Sequence, residues 1–104
     1  MDTKTLEKEM TEWIYRWSDE KNHLLTQQRG LSFERVVQAI ENDKIIDIIP
    51  SPSPTHPDQE CLVVDLDGYA HLVPFVQEGD VIFFKTIYPS RKHTRFYLRG
   101  DDHE

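Results

Sequence analysis

Five cations fall within fifteen positions near the C-terminal end: Lys85, Arg91, Lys92, Arg95 and Arg99, with no acidic residue between 81 and 100. His93 and Tyr97 are interleaved with them. A guanidinium grips phosphate or carboxylate oxygens in pairs through its planar fork. An imidazole can take up a proton, and a phenol can donate one or stack on a base. Such a block is either a local anion site or a solvated segment that offsets an acidic body. The body is acidic: residues 1–80 hold seven Lys and Arg against sixteen Asp and Glu, and the formal net charge of the chain is −7. That balance argues against general nucleic-acid binding, which needs many phosphate contacts.

The remaining chemistry-bearing residues point away from metals and cofactors. His23, His56, His71, His93 and His103 are scattered, with no pair at a metal-ligand spacing. Cys61 is the single cysteine, so no internal disulfide can form. It opens an apolar run and reads as a buried, inert thiol. With four glycines in all, no phosphate-cradling Gly-rich loop is present. Asp65 and Asp67 flank a turn, and His71 alternates along a strand as a satisfied sheet residue. Neither a metal nor a cofactor is expected.

The elements that must carry these residues follow from spacing. The 104 residues fit one domain, with 1–12 as an N-terminal extension and 50–60 as a Pro-rich loop. Leu6, Met10 and Trp13 suit a short helix over 3–12, and the alternating aromatics from Trp13 to Trp17 suit a strand. Ser18 is an N-cap for a helix that Gly30 stops, and Ser32 caps a second with Phe33, Val36, Val37 and Ile40 as its apolar stripe. Ile45–Ile49, Cys61–Leu66, Tyr69–Val76 and Val81–Tyr88 read as strands, with Asp67-Gly68 as a two-residue hairpin turn. Arg91–Arg99 reads as a short helix or an extended tail. The expected class is α+β, two N-terminal helices packed on an antiparallel sheet. No apolar run reaches the ~20 residues of a membrane span, and no apolar signal region opens the chain, so a cytoplasmic location is expected.

Three segments together resemble the BrnT-like toxins, RelE-fold members of bacterial toxin–antitoxin pairs. The first is Trp17-Ser18-Asp19-Glu20-Lys21-Asn22 followed by Gln28-Arg29-Gly30-Leu31-Ser32-Phe33-Glu34. The second is Gly68-Tyr69 through Val73-Pro74-Phe75-Val76. The third is Lys85-Thr86-Ile87-Tyr88-Pro89-Ser90-Arg91-Lys92 with Tyr97 beyond it. The match spans about Trp13 to Tyr97, and order and spacing carry it rather than any one motif. Arg29 stands where typical members carry His.

The resemblance implies a RelE-like fold, inhibition of translation by metal-independent RNA cleavage, and two partners: RNA, namely mRNA either free or on the ribosome, and a cognate antitoxin protein. In such cleavage a base takes the 2′-hydroxyl proton, a cation stabilises the phosphorane and an acid protonates the leaving oxygen. On this reading Arg91, Lys85 and Tyr97 are catalytic, and Lys92, His93, Arg95 and Arg29 bind RNA. The alternative is a non-enzymatic, degenerate toxin that keeps the fold and the antitoxin surface. Direct DNA binding ranks lower, because the second helix sets Glu34, Glu41 and Asp43 against Arg35 and Lys44.

Overall fold

The computed structural model describes residues 13–50 and 59–99. The expected helix over 3–12 and most of the Pro-rich loop lie outside them. The described elements run β1 (Ile14–Arg16), α1 (Asp19–Arg29), α2 (Phe33–Glu41), β2 (Ile45–Pro50), β3 (Glu60–Leu66), β4 (Tyr69–Glu78), β5 (Val81–Phe84), β6 (Tyr88–Pro89) and α3 (Arg91–His93), which passes into a π-helical turn (Thr94–Arg99). The class is α+β. Among the described residues no helix is long and apolar enough to cross a membrane.

The six strands form one sheet in the order β1-β5-β4-β3-β2, with β6 also on β4. It is mixed, which corrects the antiparallel expectation. β1 runs parallel to β5, pairing Ile14 with Val81 and Arg16 with Phe83. The long connection through both helices and three strands lets β1 enter the edge in that direction. The Asp67-Gly68 hairpin forms as its residue types demand: both carry positive φ, 60° and 81°, and Leu66 pairs with Tyr69 across them.

The expected Val81–Tyr88 strand is broken. Lys85 N–H still reaches Pro74 O at 2.8 Å, and pairing resumes at Tyr88 opposite Leu72. Pro74 brings no N–H to the ladder, so its strand cannot return a bond there. Three residues on one side then cover two on the other, and the surplus residue re-aims the chain at Tyr88.

Alternation divides the apolar residues between two cores. The larger joins Leu25 of α1 and Phe33, Val36, Ala39 and Ile40 of α2 to Leu62, Val64, Val73, Phe75, Ile82 and Phe84. Phe33, Phe84 and Trp17 stack within it, centroids about 6 Å apart. The smaller comprises Cys61, Val63, Ala70 and Leu72, with Tyr88 and Tyr97 packed against it. Cys61 is fully buried, and burial pushes its thiol up to about 11, as suits an inert core residue.

Candidate active site

The cleft that gathers chemistry lies where the end of α1 meets β4 and β6. It is open, about 540 Å³, and lined by Arg29, Leu31, His71, Tyr88 and Pro89. Its position follows from local sequence. Ser18 Oγ caps α1 by accepting from Lys21 N–H at 3.2 Å. Gly30, left-handed at φ 68°, closes it, so the chain turns sharply just after Arg29. Asn22 locks α1 to α2: its Oδ1 accepts from Phe33 N–H at 2.7 Å and its Nδ2 donates to Glu34 Oε1 at 2.9 Å. Arg29 Nη1 then donates to Ile87 O at 3.3 Å, which holds the guanidinium beside the β5–β6 break.

His71 enters from β4, paired with Pro89 of β6. It is buried, and its Nδ1 lies 2.8 Å from Tyr69 O. A carbonyl only accepts, so Nδ1 carries the hydrogen and neutral His71 keeps Nε2 as a bare acceptor. Nε2 has no hydrogen-bond partner among the described residues. Burial, the largest cause, and the nearby Arg35 cation push His71 below the ordinary histidine value, so it is neutral at pH 7. Burial likewise raises the Tyr88 phenol, which stays protonated. A cation and a neutral base thus line one cleft, with Tyr88 at its rim and its ring packed on the smaller core, on the other face of the sheet.

The residues expected from sequence are not gathered into one site. Arg29 lines the cleft. Arg91 is exposed two residues beyond Pro89, in the first turn of α3, and makes no ion pair among the described residues. Lys92 and Arg95 are exposed on the same segment, and His93 is half-buried, stacked on Tyr97 with its Nδ1 2.6 Å from Ser90 Oγ. Lys85 lies elsewhere, just past β5 with its Nζ 5.4 Å from the Phe83 ring centroid. Tyr97 donates to Asp47 Oδ2 at 2.6 Å, which ties the C-terminal segment to β2. That bond raises the Tyr97 phenol and lowers the Asp47 carboxyl. Strands β5 and β2 are three spacings apart, about 14 Å, so Lys85 and Tyr97 do not share a centre.

Sequence reasoning placed His71 in the sheet and stopped there, and it gave Tyr88 no role. The missing signal was the pairing of Pro89 with His71, which the apolar pattern of the last strand conceals. Among the described residues no group of three His, Cys, Asp or Glu side chains could hold a metal ion. Comparison with known proteins gave no match among family models, curated proteins or solved structures.

Proposed function

We propose that the protein is the toxin of a BrnT-like toxin–antitoxin pair, a RelE-like ribonuclease with both N-terminal helices on one face of its sheet. The observation that carries this reading is the cleft that brings Arg29 and a neutral His71 together. His71 Nε2 takes the proton of an RNA 2′-hydroxyl, and the freed oxygen attacks the adjacent phosphorus. Arg29, with Arg91 beyond Pro89, stabilises the charge that develops on the phosphorane. The bond to the 5′ oxygen breaks, that oxygen takes a proton from solvent, and a 2′,3′-cyclic phosphate remains. The proton held by His71 then returns to solvent, which restores the base. The antitoxin neutralises this activity by binding the toxin.

A second reading, a non-enzymatic module for antitoxin binding, is favoured by the Tyr97–Asp47 hydrogen bond, which already engages the acid expected from sequence. Induced expression without a partner separates the two. The ribonuclease reading expects growth arrest that His71→Gln relieves; unchanged growth with the wild-type chain supports the module.

A further inference from the structure

A second open depression, about 460 Å³, is lined by Arg16, Val76, Glu78, Val81, Phe83 and Lys85. Ile82 and Phe84 enter the larger core, so alternation turns Phe83 and Lys85 to the opposite face of the sheet. Arg16 and Val76 pair with Phe83 from either side, which sets an aromatic ring in a row across three strands. Arg16 and Lys85 are exposed and Phe83 is half-buried. Two cations meet one carboxylate, Glu78, on a body that is otherwise strongly acidic. No ion pair engages either cation among the described residues.

We propose that Arg16, Phe83 and Lys85 form a subsite for an unpaired nucleotide of the RNA strand that enters the cleft; this rests on the ribonuclease reading. An aromatic face flanked by cations suits single-stranded nucleic acid, because every base can stack and every phosphate is anionic. The two cations carry the choice of an RNA occupant over an apolar peptide. Phe83 pairs with Val76 and Pro89 with His71, five residues apart on β4, about 17 Å along that strand. His71 pairs with Val64 of the helix-side core, so the cleft and the subsite lie on opposite faces, and an RNA strand that reaches both rounds the β5–β6 side of the sheet. The subsite therefore receives a nucleotide displaced from the scissile bond, and it sets a minimum substrate length.

The probe is an unpaired 2′-O-methyl RNA long enough to span both sites, which lacks the attacking hydroxyl, titrated onto the full chain at several salt concentrations. Cleavage of a dinucleotide is measured in parallel. Phe83→Leu should weaken binding of the long probe about 5- to 150-fold and leave dinucleotide cleavage unchanged. The exposed pair Arg16→Gln and Lys85→Gln, which does not depend on core packing, should flatten the salt slope by about 1.4. Glu78→Gln should tighten binding. Unchanged affinity and slope in all these variants, or an equal loss on the dinucleotide, overturns the subsite and leaves the cleft reading standing. Failure of the wild-type chain to bind or cleave any RNA overturns the cleft reading and the subsite with it.

Discussion

His71 is a base only if it reaches the reaction unprotonated, and its surroundings arrange that. Burial disfavours the imidazolium, and the bond from Nδ1 to Tyr69 O selects the tautomer with Nε2 bare. His71→Gln should lower the cleavage rate about 100-fold or more. The acid limb of the kcat/KM profile should fall below pH ~6.5, since the base form is lost as pH drops through the lowered His71 value, and the limb should vanish in His71→Gln. Stability has the same sign. The unfolded chain takes up this proton at a higher pH than the folded one, so stability is complete above about pH 6.5 and declines as pH falls through the folded value. A urea-melt series from pH 7.5 to 5 checks this, and His71→Gln should flatten it. At this scale the sequence was half legible. Arg29 stood out at the position where the resembled family has His, and Cys61 was correctly read as buried. His71 was not, because one ring on one strand says nothing of what faces it.

The C-terminal segment works as an element. Ser90 caps α3, and Ser90 N–H donates to Ala70 O at 2.9 Å. Thr94 completes the anchor. Its Oγ1 accepts from Ala70 N–H at 2.8 Å and donates to Ser90 O at 2.7 Å, at 1% exposure. Thr94→Val keeps the shape but leaves a buried N–H unpaired. It should cost about 1–3 kcal/mol, a fall in Tm of roughly 4–20 °C; an unchanged Tm would mean the anchor contributes nothing. Sequence patterns located both capped helices and the hairpin because Ser18, Gly30, Ser32 and Asp67-Gly68 act locally. The parallel β1 and the split of β5 from β6 escaped, since both depend on partners far along the chain and on the missing N–H of Pro74.

Across the molecule the cations do not form the one block their sequence order suggests. Arg91, Lys92 and Arg95 stay with the C-terminal segment, Lys85 joins Arg16 on the far part of the sheet, and Arg29 arrives from α1. Sequence order could not show this distribution, because Arg16 and Arg29 lie more than fifty residues before the C-terminal block and reach their places only when the sheet closes. On the proposed reading, an acidic body with separate basic positions offers a substrate strand a path and leaves carboxylates for a basic antitoxin arm. Arg91→Ala should relieve growth arrest while the antitoxin complex survives gel filtration; persistent arrest would remove Arg91 from the site.

The central claim is that Arg29 and His71 act together on RNA. Its most direct measurement is single-turnover cleavage of an unstructured RNA by the purified chain, with the 3′ end of the product identified. The expected result is a 2′,3′-cyclic phosphate, with rates reduced about 100-fold or more by His71→Gln and by Arg29→Ala in folded protein. No cleavage by the wild-type chain, or full activity in both variants, would contradict it.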